Sequence, residues 1–410
     1  MQEITLISFL GSDQPNLLNR LMQILFTHSL QILDIQQTLI YDQISLTIVV
    51  AATSDHATTS AKNEIAILAQ DIDLTVRFKP ICNAEYQQSR TRVPSERYVA
   101  TLIGAELTIQ QIAKVVENLS KQGFIFEDIQ TLTTQLHAQH PADQQPNRAS
   151  IELKMTASQL VDAQHLKATC LTLADQLEID VIIQKDHPFR TNRRLICFDM
   201  DSTLIGQEVI DELAKEAGIG DQVAEITERS MRGELDFQQS FKERVALLKG
   251  LDTVVLSQIA DRLTINEGAY RLISTLKRLG YHTAILSGGF QYFAEYLQKK
   301  LGIDEVHANI LDIRDGQVTG EVQGTIVDGA RKAEILRQLA EKLNISLDQA
   351  IAVGDGANDL PMLAIAGLGV AYKAKPLVRE TAQHALSHIG LDGVLYILGL
   401  HDQGIEQVSG

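Results

Sequence analysis

Apolar and polar positions along the chain alternate between two periods, one of two residues and one near 3.6. Ile4 to Phe9 is a short β-rich run, followed by the turn Gly11-Ser12-Asp13-Gln14-Pro15. Leu17, Leu18, Leu21, Ile24 and Leu25 then fall at helical spacing within Asn16 to His28. Two strand-like runs, Gln31 to Tyr41 and Ile44 to Ala52, are joined by Asp42-Gln43, and a helix over about Thr58 to Gln70 precedes a strand over Asp73 to Phe78. The stretch Gln87 to Arg97, with Pro94, reads as a linker. The same order then restarts. Tyr98 to Ile103 is strand-like, Thr108 to Lys121 helical, and Phe124 to Leu136 strand-like. Beyond a Gln/Pro-rich loop around His140 to Ala149 come a strand (Ser150 to Met155), a helix (about Ser158 to Gln176) and a strand (Ile179 to Gln184). Two β-α-β-β-α-β units in tandem predict a duplicated ferredoxin-like, α+β fold.

A second boundary falls at Asp186 to Arg193, with Pro188, and from Arg194 the pattern is that of an α/β domain. The apolar strands Leu195 to Phe198, Thr283 to Leu286 and Ala350 to Val353 each run into a polar or glycine-rich loop. Between the first two lies a mostly helical stretch, Glu208 to Arg262, broken by Gly218 and Gly220, which predicts a helical cap over the strand ends. The expected division is 1–85, 97–185 and 192–400, with the cap at 207–265.

Composition narrows the classes. A chain of 410 residues is too long for one ordinary core, and 45% hydrophobic with 21% charged residues is a globular balance. No apolar run approaches the ~20 residues of a membrane span, and Met1 to Leu10 lacks the basic flank of a leader. Cys82, Cys170 and Cys197 are odd in number and scattered, which argues against a disulfide frame or a zinc site and fits a reducing cytoplasm. The eleven histidines are dispersed without metal-ligand spacing. A net charge of −16 disfavours nucleic acid and anionic membrane as partners. A phosphorylated substrate would need local positive charge, from a metal ion or a few Lys and Arg side chains.

The three strand ends carry the chemistry, since open α/β sheets bind ligands beyond the carboxyl ends of their strands. Past the first stands Asp199-Met200-Asp201-Ser202-Thr203, two carboxylates that repel each other unless a hard cation such as Mg²⁺ intervenes. Past the second, Ser287-Gly288-Gly289-Phe290 offers a hydroxyl and backbone N–H groups to a phosphate, and the glycines let the backbone come close. Past the third, Gly354-Asp355-Gly356-Ala357-Asn358-Asp359 carries three oxygen-bearing side chains. Lys332, at the start of an amphipathic helix, adds a positive charge. These residue types suit phosphoryl transfer, with Asp199 as nucleophile and Asp201 as general acid and base.

These four motifs, in this order and spacing, resemble those of the haloacid dehalogenase-like phosphatases, and most closely the members that act on phosphoserine. Glu208, nine residues after Asp199, and Arg244, within Phe241-Lys242-Glu243-Arg244-Val245, match that pattern as well. The similarity covers about residues 192 to 400. It implies a Rossmannoid core with a helical cap and hydrolysis of L-phosphoserine to L-serine and phosphate through an aspartyl-phosphate, the last step of serine synthesis. It also implies Mg²⁺ held by Asp199, Asp355 and the backbone carbonyl of Asp201. Ser287, Gly288 and Lys332 would bind phosphate, and Asn358 and Asp359 would orient neighbouring groups. Glu208 would face the substrate ammonium and Arg244 its carboxylate, while Met231 and Phe237 fall where such enzymes close the cap.

The two N-terminal units resemble ACT domains, regulatory modules that bind amino acids, often across a subunit interface. Ser12-Asp13-Gln14-Pro15-Asn16-Leu17-Leu18 is similar to their ligand loop, with Asn16 where glycine is usual, and Gly104-Ala105-Glu106-Leu107 lacks the proline. The resemblance implies serine as a feedback ligand and a homodimer. Two other readings stay open: a phosphatase or phosphotransferase for another small ester such as phosphohomoserine, and an amino-acid sensor with a vestigial phosphatase fold.

Overall fold

The computed structural model describes residues 3–52, 55–91, 96–134 and 147–409. They form two compact units, Met1–Pro94 and Ser95–Gly410.

In the first unit, β1 (Glu3–Ser12), α1 (Leu17–Thr27), β2 (Gln31–Ile40), β3 (Gln43–Ala52), α2 (Asp55–Asp71) and β4 (Thr75–Ile81) build an antiparallel sheet of order β2-β3-β1-β4. Period-two alternation in β3 buries Ile44, Leu46, Ile48 and Val50, and α1 lays Leu17, Leu21 and Leu25 in the same core. Asn16, before α1, has φ 65°, the left-handed conformation that glycine takes most readily and asparagine tolerates. The stretch from Gln87 that reads as linker is still helical, because α3 (Asn83–Thr91) runs through it; 92–95 lie outside the described residues.

The second unit opens with β5 (Arg97–Gly104), α4 (Ile109–Lys121), β6 (Phe124–Thr131), β7 (Ala149–Ala157), α5 (Ala163–Leu177) and β8 (Asp180–Lys185). Their sheet, β6-β7-β5-β8, repeats the strand order of the first. Helix α5 starts at Ala163, later than its periodicity suggests, because Asp162 Oδ1 accepts from Gln164 N and His165 N and so caps it there. Strand β6 ends at Thr131, short of Leu136, and 135–146 lie outside the described residues.

The remainder contains β9 (Leu195–Phe198), the cap helices α6 (Val209–Glu216), α7 (Gly220–Met231), α8 (Phe237–Ala246) and α9 (Val254–Arg262), then α10 (Ala269–Arg278) and β10 (His282–Phe290). There follow α11 (Gln291–Leu301), β11 (Glu305–Arg314), β12 (Gln317–Gln323), α12 (Gly329–Lys342), β13 (Ala350–Gly354), α13 (Leu360–Ile365), β14 (Leu368–Tyr372), α14 (Pro376–Thr381), β15 (His384–Leu386), α15 (Gly393–Ile397) and α16 (Asp402–Ser409). The seven-stranded sheet runs β12-β11-β10-β9-β13-β14-β15, parallel except for β12. Both faces are covered, so the strands are apolar throughout: Ile196 and Phe198 of β9 enter one core, Leu195 and Cys197 the other. The chain leaves β9 for β10 on one side and reaches β13 on the other. The crevice at the carboxyl end of β9 is therefore where the strand order reverses.

The two ends of the cap segment meet in an antiparallel bridge between Ile205 and Ile265. Against the seven-stranded sheet, the β5–β8 layer contributes Ile103, Leu132 and Ile182 to a shared core. Gln184 Nε2 donates to the Ile397 carbonyl at 2.9 Å, and Arg148 pairs with Asp392 at 3.0 Å. Among the described residues no helix is long and apolar enough to cross a membrane.

Candidate active site

Strand β9 ends with Asp199 buried, its N–H donating to the Val353 carbonyl at 2.8 Å, so the start of this loop is locked to β13. Ser202 has φ 55°, a strained left-handed geometry for serine that turns the chain sharply after Asp201. Thr203 Oγ1 reaches across to donate to Asp355 Oδ1 at 2.9 Å, and Asn266 Nδ2 donates to the Thr203 carbonyl at 2.8 Å.

Lys332 is not the solvated helix residue its position alone would suggest. It is fully buried, with Nζ 2.7 Å from Asp199 Oδ1 and 2.6 Å from Asp359 Oδ1. Asp328, the residue capping α12, accepts from Arg331 N at 2.9 Å and aims that helix so that Lys332 enters the crevice. Burial pulls the ammonium toward neutrality, but the charges of Asp199 and Asp359 overcome it and hold Lys332 above its ordinary range.

Ser287, Gly288 and Gly289 form a bulge in the β10 ladder: Leu286 pairs with His307 and Phe290 already with Asn309. Gly289 N donates to Ser287 Oγ at 2.9 Å. A Cβ on Gly289 would lie 2.5 Å from Asp201 Oδ2, so only glycine lets this loop touch the second aspartate. A Cβ on Gly288 would lie 2.9 Å from Cζ of Phe237, the cap ring that stacks on Phe241. Gln238 Nε2 adds a second link from cap to core, donating to Asp328 Oδ2 at 2.7 Å.

Ligand atoms of Asp199, Asp355 and Asp359 lie within 4.8 Å of one another. Three carboxylates around one lysine leave two negative charges uncompensated. Burial first, then the Asp359 charge, pushes Asp355 up to about 7. Burial and Asp359 likewise hold Asp199 well above the carboxylate range against the opposing pull of Lys332. All donors are hard oxygens. The set fits a divalent oxygen-loving cation in both charge and donor type. Asp201 stands apart from this cluster. Its Oδ1 accepts from Val209 N at 3.2 Å, and burial, Glu208 and Asp199 raise it well above the usual range, which favours the protonated acid.

Glu208 is exposed at the start of α6 and accepts from Ser202 Oγ at 2.8 Å. Arg244 is half-buried on α8, with Nε to the Ser240 carbonyl at 3.4 Å. Among the described residues it has no carboxylate within ion-pair distance. Burial lowers it, while Asp211, Glu208 and Asp201 facing it act in the opposite sense. Asn358 packs over Gly356 and against Gly329, without a hydrogen bond from its amide to the carboxylates. The side chain of Met231 lies outside the described residues. Sequence reasoning overlooked Asn309, buried in β11, whose Nδ2 donates to the Gly288 carbonyl at 2.8 Å while Oδ1 accepts from Val327 N at 2.8 Å. The clue was an amide set between the apolar Ala308 and Ile310 in a strand of mixed pattern. It also gave Thr203 and the Gln238–Asp328 pair no role.

Residues 193–367 match the haloacid dehalogenase-like hydrolase family and residues 3–79 an ACT domain family. A phosphoserine phosphatase of Streptomyces coelicolor is 36% identical over 98% of this chain and 93% of its own length. One from Mycobacterium tuberculosis is 35% identical over 98% and 94%. Among solved structures, a probable phosphoserine phosphatase from Vibrio cholerae covers 77% of this chain and 91% of its own, at 36% identity and TM-score 0.59. A haloacid dehalogenase family hydrolase from Salmonella enterica covers 73% and 98%, at 33% identity and TM-score 0.64.

Proposed function

The chain belongs to the phosphoserine phosphatases of the haloacid dehalogenase-like family, with an N-terminal ACT domain, and from that premise we propose how its own residues carry the reaction. It hydrolyses L-phosphoserine to L-serine and phosphate. One observation supports the residue assignment above all: Asp199, Lys332, Asp355 and Asp359, from three separated stretches of chain, meet at one strand-end crevice.

An Asp199 carboxylate oxygen attacks phosphorus as the bond from phosphorus to the serine oxygen breaks, and Asp201 delivers its proton to that oxygen. In the second half, water attacks the aspartyl-phosphate, the phosphorus bond to Asp199 breaks, and Asp201 takes the water proton. The raised Asp201 suits the first proton transfer. Lys332, the Ser287 hydroxyl and the Gly288 backbone bind the phosphoryl oxygens and oppose their growing charge. Asp199, Asp355 and the backbone carbonyl of Asp201 would hold Mg²⁺, which supplies charge neutralisation at the phosphoryl group. Glu208 receives the substrate ammonium and the unpaired Arg244 its carboxylate; guanidinium suits a carboxylate because it binds through two parallel hydrogen bonds. Asn358 supports the loop that carries Asp355.

We take 1–85 and 97–185 as two ACT-like domains, 192–400 as the catalytic domain and 207–265 as its cap, a division supported by the repeated strand order of the two antiparallel sheets. A cytoplasmic homodimer whose ACT domains bind serine is the regulatory reading. It is supported by the bare outer strand β2, where Ile35, Leu39 and Ile40 are 45%, 51% and 65% exposed. Phosphate release across a panel of phosphomonoesters tests the substrate assignment. We expect phosphoserine to be preferred, turnover with Mg²⁺ and none with EDTA. A preference for esters without the amino-acid head group would overturn the roles of Glu208 and Arg244.

A further inference from the structure

Between the β5–β8 layer and the far edge of the seven-stranded sheet lies a cavity of about 530 Å³, within the range of pockets that hold small organic ligands. Helix α5 and β8 supply an apolar wall that includes Leu166, Leu171 and Val181. The opposite wall is cationic.

Arg193 is the distinctive group there. It is only 2% exposed, and Nη1 and Nη2 donate to neutral acceptors, the Asp348 carbonyl at 3.1 Å and Gln184 Oε1 at 3.2 Å. Its Nε has no partner. Other arginines in this unit with little exposed side chain are paired with carboxylates: Arg190 with Glu152 at 3.0 Å, and Arg148 with Asp392 at 3.0 Å. Arg193 has no carboxylate within ion-pair distance among the described residues. An unpaired charge out of water is costly, and burial accordingly lowers Arg193 to about 10.

Two further buried donors on the same wall, Arg379 Nε and Ser387 Oγ, also lack partners. Asp180, the one acidic lining residue, does not answer them. Its oxygens already accept from Ser387 N at 2.6 Å and His388 N at 3.0 Å.

The cavity is also distant from the chemistry along the strands. Arg193 precedes β9, Gly367 precedes β14 and His384 opens β15, so these lining residues mark the amino ends of strands in the parallel sheet, whereas Asp199 and Asp355 follow the carboxyl ends of β9 and β13 in that sheet. We propose that this cavity is a second ligand site, for a small monocarboxylate with an apolar body, whose carboxylate pairs with Arg193 and whose body packs on α5. Such a ligand touches both layers and ties them together without competing with substrate.

Calorimetric titration of the full chain with octanoate, and with octanol as the uncharged control, tests this. We expect saturable one-to-one binding of octanoate, markedly weaker binding of octanol, and a rise in thermal stability with octanoate concentration. Arg193→Met should weaken octanoate by about ten- to a hundredfold, the loss of one charge-assisted hydrogen-bonded pair. Ala174→Phe, which places a ring in the cavity while keeping Arg193, should abolish binding, and it decides the matter alone if Arg193→Met does not fold. Saturating phosphoserine on an Asp199→Asn background should leave octanoate affinity unchanged. No saturable binding, affinity unaltered by the variants, or competition with phosphoserine would each overturn the proposal.

Discussion

At the scale of single residues, the active site is a problem of charge. Asp199 shares Lys332 with Asp359 in a fully buried setting. Asp199→Asn removes the nucleophile and one of three crowded negative charges, while Lys332 keeps its bond to Asp359. Turnover should fall by at least about a thousandfold with the melting temperature held or raised, measured by phosphate release and thermal unfolding. Substantial residual turnover would contradict the covalent route. His384 offers a separate test. Burial first, then the Arg193 and Lys167 charges, depresses it to about 4. The unfolded chain therefore binds this proton near pH 6.5 and the folded chain does not. Its contribution is intact above pH 6.5 and lost as pH falls toward 4. Asp180, nearby and raised by burial, opposes this trend, so the comparison is between variants. Between pH 7 and 4.5, the native chain should lose about 1–3 kcal/mol more stability than His384→Gln, read by denaturant unfolding at each pH.

At the scale of elements, the cap meets the phosphate loop through two rings, Phe237 over Gly288 and Phe241 against Phe290. Gly288 leaves room for Phe237, and the Asn309 amide holds the bulge that presents Gly288. Gly288→Ala forces Phe237 away and should raise KM for phosphoserine several-fold with little change in melting temperature, because a ring on a helix face can swing. The cost should vanish in a Phe237→Ala background. A double-mutant cycle that shows independent effects would rule the contact out as the cause. The same scale explains why α5 starts late. Its periodicity runs back to Ser158, but Asp162 satisfies the first free N–H groups and sets the end.

At the scale of the whole molecule, the two ferredoxin-like layers differ in their ties. The first belongs to a unit of its own, whereas the second shares a core with the catalytic sheet through Ile103, Leu132 and Ile182. A chain of residues 95–410 should keep kcat and its main unfolding transition. A chain of residues 187–410 strips that shared core and the Gln184 bond to Ile397, and should melt roughly 10 °C lower or more. Equal melting temperatures for both truncations would show that the layer is only an appendage.

Most strands and helices were legible from the chain because side-chain period is a local property. Leu195–Phe198 is a buried strand by composition alone, and it was found with the same bounds. The β11–β12 hairpin and the short edge strand β15 were not legible, since their polar and mixed patterns become strands only by pairing with neighbours, and β14, apolar throughout but five residues long, offers no period to read. The motif residues could be named from spacing and resemblance, but not their partners. Lys332 finds Asp199 across 133 positions, and Arg193 is left without a carboxylate only after two layers close over it. Sequence by itself determined which groups could do chemistry and the period of the elements that carry them. Tertiary structure alone decided which charges are paired, because the energy of a buried charge depends on what distant segments bring within a few ångströms of it.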